Sequence, residues 1–237
     1  MQWSRDSSTG SYVVCDIHQT KTNETNSWLV SEHVINVQGT ITAQLSVKFT
    51  ARQCNHTIHP HCRQDFNIHL YQTESEQSGG ITKKNIRDGV FTFIARFSAL
   101  HLWNTGTAVT QNTVNTTLAL YTKGFYVALQ DVGGCFAVEE VAIFYLYCPF
   151  LMHNGAIFNK TFSSTKGVTS KTTGKCLKNS SPTQKESDIA QECRSDGKWA
   201  LDNSVTCLCN VGYEMRDSQC QGKLNFTHIT TNYEKFC

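Results

Sequence analysis

The sequence predicts an all-β protein, a sandwich of two sheets followed by a smaller unit held by cysteines. Three observations point there. Residues 40–50 alternate, with Ile41, Ala43, Leu45, Val47 and Phe49 set against Thr42, Gln44, Ser46 and Lys48, and a period of two belongs to a strand. No stretch repeats an apolar 3.6-residue stripe long enough for a helix. Thr, Ser and Asn abound beside three prolines and three methionines, a balance that favours strands and polar loops. A chain of 237 residues has room for one core of about 100–200 residues plus something small. Sequential antiparallel strands in that space suit two packed sheets.

Residues 1–11 are polar and read as loose. Residues 12–17, 28–37 and 40–50 carry strand character, the last ending at Arg52-Gln53-Cys54 before a short loop to Cys62. Residues 66–72 (FNIHLYQ) read as a further strand, and 73–88 as polar loop with Gly79-Gly80. Residues 89–103 suit one or two strands, and the Thr/Asn-rich stretch 105–117 reads as connector. The rest is arranged around Gly124 to Pro149. Its apolar runs, 125–129 and 136–147, are split by Asp131-Val132-Gly133-Gly134, a hairpin signal. In the second run Val141, Ile143, Tyr145 and Tyr147 oppose Ala142, Phe144 and Leu146, so that strand reads as covered on both sides. After Pro149 apolar residues thin out. Residues 154–174 offer Ile157, Phe158, Phe162 and Val168 to bury, and 176–237 offer Trp199, Leu201 and Tyr213 as anchors. A unit that poor in core needs crosslinks.

Eleven cysteines, seven of them after residue 135, suggest a disulfide framework and an oxidising compartment. Six Asn-x-Ser/Thr sequons agree, at Asn23, Asn55, Asn115, Asn159, Asn179 and Asn225. No signal peptide follows Met1, and the longest apolar run, 141–152, is too short to span a bilayer. With the odd cysteine count, these features read as a piece of a longer extracellular protein, cut at both ends.

Net charge is +2 with both signs mixed along the chain, so no basic run tracks a phosphate backbone and nucleic acid is not an expected partner. Motifs for a nucleophile elbow, a phosphate-cradling glycine loop, a zinc protease or a kinase are absent. Glu139 and Glu140 are adjacent and on a strand face opposite sides, which unsuits them to shared acid–base work. His56, His59 and His61 lie between Cys54 and Cys62 in NHTIHPH, a spacing that could offer imidazoles to zinc. The flanking cysteines and Pro60 favour an exposed, glycosylated loop instead, so neither metal nor cofactor is expected. The aromatics Phe144, Tyr145 and Tyr147 read as core.

Ordered motifs over residues 12–220 resemble the ectodomain of Eph receptors. Gly124-Phe125-Tyr126-Val127-Ala128-Leu129-Gln130-Asp131, then Gly133-Gly134-Cys135 and Cys148-Pro149, are similar to the family's Gly-Phe-Tyr-Leu-Ala-Phe-Gln-Asp, Gly-Ala-Cys and Cys-Pro. Tyr12-Val13-Val14-Cys15, Trp28-Leu29, Lys48-Phe49-Thr50, Arg52-Gln53-Cys54-Asn55 and Cys62-Arg63-Gln64-Asp65-Phe66-Asn67 match further motifs. Asp196-Gly197-Lys198-Trp199 and Cys207-Leu208-Cys209-Asn210-Val211-Gly212-Tyr213-Glu214 resemble the adjoining sushi-like module. Two departures stand out. The family's additional strands before the first cysteine have no counterpart here, which reads as either an N-terminally truncated sequence or a rebuilt sandwich, and a sandwich without them is expected to leave apolar surface uncovered. Gly134 replaces the family's Ala, and Glu139 and Glu140 add acid.

The resemblance implies a jelly-roll ligand-binding domain over 1–149, a sushi-like module over 150–208 and a partial EGF-like segment over 209–237. It implies disulfides Cys15–Cys135, Cys54–Cys62, Cys148–Cys193, Cys176–Cys207 and Cys209–Cys220, with Cys237 left over. The eight-residue spacing of Cys54 and Cys62 makes that loop easy to close. The partner implied is a cell-surface ephrin, whose protruding loop enters a hydrophobic channel floored by Val13, Cys15, Thr50, Cys135, Phe136, Ala137 and Glu139. Arg52 corresponds to an arginine that pairs with an acid on that loop, a good use of a planar fork. The alternative is that Arg52 merely pairs with a local acid such as Asp65. Glu139 in the channel would repel an acidic loop. Receptor clustering, a secreted decoy or adhesion module, and a carbohydrate-binding jelly roll complete the readings.

Overall fold

The computed structural model describes residues 3–15, 17, 25–38, 40–164, 170–183, 185, 189–204 and 206–223. Val168, Cys237 and the Asn23 and Asn225 sequons lie outside them. The chain divides into two units, residues 1–146 and 147–237.

In the first unit the strands are β1 (Ser4–Arg5), β2 (Tyr12–Cys15), β3 (Ser27–Val30), β4 (Val34–Ile35), β5 (Thr42–Arg52) and β6 (Asp65–Thr73). After helix α1 (Lys83–Arg87) follow β7 (Thr92–Ser98), β8 (Leu102–Trp103), β9 (Asn112–Ala119), β10 (Gly124–Asp131) and β11 (Cys135–Phe144). One sheet runs β1-β2-β11-β5-β8 with β9 also beside β5; the other runs β3-β10-β6-β7 with β4 beside β10. Alternation in β5 sends Ala43, Leu45, Val47, Phe49 and Ala51 inward, where they are essentially inaccessible to water. They meet Phe66, Ile68 and Leu70 of β6 and Phe125, Val127 and Leu129 of β10. Phe49, Phe66 and Phe136 form the centre, with edge-on ring contacts at 4.9, 5.5 and 6.2 Å. The first unit is thus a β-sandwich, as the strand periods predict.

Several local expectations change. The 125–147 stretch is not a paired hairpin: β10 pairs with β3, β4 and β6, whereas β11 pairs with β2 and β5. Asp131 accepts hydrogen bonds from the Gly133 and Gly134 amides at 3.1 and 2.7 Å, and this cap carries the chain from one sheet to the other. The strand covered on both faces is β10, buried at every position but Gln130; in β11 Val141 and Phe144 are exposed. Residues 105–117 are not all connector. Their second half enters β9, an eight-residue strand paired along β5, with threonines on its exposed face. The loop 73–88 holds a short helix capped by Thr82 and Asn85. Residues 3–11 are not loose: β1 pairs with β2, and Trp3 is buried in the core with its indole N–H donating to the Ser27 carbonyl at 3.1 Å.

The second unit comprises β12 (Tyr147–Cys148), β13 (Leu151–His153), β14 (Ala156–Phe158), β15 (Thr161–Phe162), β16 (Ser170–Thr173) and β17 (Lys175–Cys176). It continues with β18 (Ser180–Pro182), β19 (Ala190–Cys193), β20 (Trp199–Ala200), β21 (Cys207–Cys209), β22 (Tyr213–Arg216) and β23 (Gln219–Gly222). Among the described residues they form five sheets of two or three strands each. Its core is small: Ala156, Phe158, Ile189 and Cys207, with Leu151, Cys176 and Trp199 against them. Leu201 and Tyr213, read from sequence as anchors, are exposed. Disulfides Cys148–Cys193, Cys176–Cys207 and Cys209–Cys220 crosslink the unit. Buried Gln191 ties down the 202 loop, donating to the Asp202 carbonyl at 2.9 Å and accepting from its amide at 2.8 Å.

Candidate ligand-binding groove

Four neighbouring strands of the first sheet carry a groove of about 190 Å³. Register builds it. β2 aligns Val13 with Ala137 and Cys15 with Cys135 of β11, β11 aligns Ala137 with Thr50 of β5, and β5 runs parallel to β8 so that Arg52 lies beside Trp103. Val13, Thr50, Arg52, Phe136 and Ala137 line the groove with Cys15 and Cys135, and Val14 and Trp103 join them. Cys15 and Cys135 are disulfide-bonded, as are Cys54 and Cys62, and the two bridges pack together around Ile17.

Gly134 fits this architecture. A methyl on its Cα would meet the Phe136 ring and the Arg63 carbonyl, so the glycine leaves the space that the ring occupies.

Glu139 does not line the groove. A bulge between Val138 and Glu140 breaks the regular register with β5, and both glutamates are exposed. The bulge overrides the strict alternation expected of two adjacent strand residues. Glu139 accepts a hydrogen bond from the Gln111 amide, while Glu140 pairs with Lys48 at 2.7 Å.

Arg52 sits at the groove's edge with its guanidinium 5.8 Å from the centre of the Trp103 ring. Asp65 is not its partner; that carboxylate pairs with Arg96 at 3.3 Å. Among the described residues no carboxylate pairs with Arg52. Trp103 was not legible as a site residue, because its place depends on the parallel pairing of β5 with a two-residue strand fifty positions away. Two bonds hold it: the Gln53 backbone amide donates to the Trp103 carbonyl at 2.8 Å, and the Asn104 side-chain amide donates to the Gln53 side-chain oxygen at 2.8 Å. Buried Asn112 of β9 braces the residues just before it, accepting from the Leu100 and His101 amides and donating to the His101 carbonyl. An apolar floor with one uncompensated cation at its edge suits a protruding apolar segment that carries an acid.

The histidine loop binds its own backbone: Asn55 accepts from the Thr57 and Ile58 amides. Among the described residues no group of three or more His, Cys, Asp or Glu could hold a metal ion. Asn55, Asn115 and Asn159 are exposed, whereas Asn179 has a positive φ of 61° and its amide donates to the Cys220 carbonyl. Titration shifts lie away from the groove. Ser8 hydroxyl and amide bonds hold Asp6 below the usual carboxylate range, and Ser204 does the same for Asp202. Burial raises the Tyr145 phenol and lowers the His69 imidazole. No helix among the described residues is long and apolar enough to cross a membrane.

Residues 2–148 match the family described as the ephrin receptor ligand binding domain, and residues 149–209 match the ephrin cysteine rich domain. Ephrin type-A receptor 4-B of Xenopus laevis is 30% identical over 222 residues, covering 89% of this chain and 21% of that receptor. Human ephrin type-A receptor 5 is 29% identical over 89% of this chain and 20% of its own length. Chicken ephrin type-B receptor 2 is 30% identical over 86% of this chain and 20% of its own. The chain spans about a fifth of the length of these relatives. With a ligand-binding-domain match over more than half its residues and a cysteine-rich match directly after it, the chain belongs to the Eph receptor family.

Proposed function

We propose that this chain is the extracellular ligand-recognition part of an Eph-type receptor, and that its groove receives a protruding loop of a membrane- or GPI-anchored ephrin-type protein. One observation carries the reading: an apolar groove framed by the Cys15–Cys135 bridge, with Arg52 at its edge and no acid of the described chain paired to it. Val13, Thr50, Phe136 and Ala137 meet the apolar part of the loop, and Arg52 takes its carboxylate. Glu139, turned out at the bulge, meets the ligand only at the rim. The sushi-like residues 150–208 and the EGF-like residues 209–237 act as spacer and as a surface for receptor clustering. The exposed sequons at Asn55, Asn115 and Asn159 carry glycans.

The test is binding of ephrin ectodomains to the purified chain. Arg52→Glu weakens it by about 2–5 kcal/mol, the usual loss when one partner of a desolvated pair is removed. Equal affinity with and without Arg52 rules out its role at the groove. A second reading is an adhesion or decoy module that does not bind ephrins. In that case no ephrin ectodomain is retained by the wild-type chain.

A further inference from the structure

We propose that Trp103 is a positioning residue for the proposed ligand contact: its indole holds the Arg52 guanidinium flat and pointed at the groove. The inference rests on the ephrin-loop reading above and adds the device that makes Arg52 selective for an acidic side chain. A free arginine on a surface samples many rotamers, and ordering it costs conformational entropy at the moment of binding. Here the guanidinium lies over an aromatic ring at 5.8 Å, so part of that ordering precedes the ligand. A cation–π contact made through the face of a guanidinium leaves its in-plane N–H donors free. Those donors form the fork that a carboxylate accepts, so the ring and the ligand acid do not compete.

The ring itself is well placed to serve as a cradle. Its backbone carbonyl is bonded to Gln53, the residue after Arg52, so the two side chains are set from adjacent strands with little slack. The acid nearest in sequence to compete for the guanidinium, Asp65, is taken by Arg96. Phe136 closes the inner side of the same groove, which leaves room for an apolar side chain next to the acid.

The experiment uses the full chain, an ephrin ectodomain as probe, and the same ectodomain with its loop acid changed to Gln. Trp103→Leu weakens the first by roughly two- to thirty-fold, the range of a cation–π contact, and leaves the second nearly unchanged. Trp103→Phe retains most of the affinity. In a double-mutant cycle Trp103→Leu adds little once Arg52→Ala is present. Independent, additive losses, or an equal loss with the acid-free probe, would show Trp103 to be a plain apolar contact and overturn the proposal. A second readout needs no ligand: NMR signals of the Arg52 side chain carry a ring-current shift that Trp103→Leu abolishes. An unshifted Arg52 overturns the stacking directly. If the shift is present but the wild-type chain binds no ephrin, the functional reading fails and the ligand role of the stack falls with it.

Discussion

The two units of this chain are both built of strands, yet they are held together by different means. The first encloses a continuous apolar core shared by two sheets, with Phe49, Phe66, Val47 and Phe125 at or near zero exposure. Among the described residues the second unit's core cluster holds four buried apolar residues, and one of them is a disulfide cysteine. In the first unit a crosslink frames a surface groove; in the second, crosslinks stand in for a larger core. The contrast teaches that strand content alone says little about what a mutation will cost.

Heat and mutation can separate the two. The largest effect is expected from Phe49→Ala, which empties the centre of the aromatic cluster and costs the first unit about 3–5 kcal/mol. Calorimetry on the full chain then shows the transition of residues 1–146 moving down while that of 147–237 holds its place. Loss of both transitions together would mean that the units are not independent. The converse variant removes Cys148 and Cys193 together, each to Ser. Their bridge joins residues 45 apart, worth about 4 kcal/mol on the chain-entropy account. Only the second transition should fall, and an unmoved second transition would show that its small core suffices.

The same contrast explains what was readable in advance. β5 was legible because one face is fully buried and the other is polar, so every second residue reports its side. The cysteine-rich unit was legible for the opposite reason, its lack of apolar residues. The Gly124–Pro149 stretch was legible as strands but not as pairing. A Gly-Gly turn between apolar runs reads alike whether the strands pair or part, and here Asp131 caps a crossing between sheets. β9 was hidden because an edge strand can be polar on its outer face, as Thr113, Asn115 and Thr117 are. Trp3 was hidden as a lone aromatic in a polar stretch, and Trp103 because it ends an apolar run with no clean period; partners distant in sequence place both. Val13, Thr50, Phe136 and Ala137 came from motif likeness, and their common groove follows from cross-strand register that no local pattern reveals.

A third and smaller effect separates the units by pH. His69 projects from β6 between the rings of Trp28 and Phe93, at centroid distances of 4.6 and 5.7 Å. Burial disfavours its charged form and lowers its pKa, an effect only partly offset by the Gln130 side chain 3.0 Å from Nε2. Its Nδ1 is buried without a hydrogen-bond partner. The unfolded chain, with an ordinary histidine pKa of about 6.5, therefore takes up this proton before the folded one does. First-unit stability is full above that value and declines as the pH falls from there toward the lower folded pKa. In the second unit the one shifted group among the described residues is Asp202, lowered by Ser204, so its stability begins to fall only in the carboxylate range. Melting between pH 7 and pH 5 should thus lower the first transition and spare the second, and His69→Gln should flatten the first. A first transition that falls equally in His69→Gln would place the sensitive group elsewhere in the sandwich.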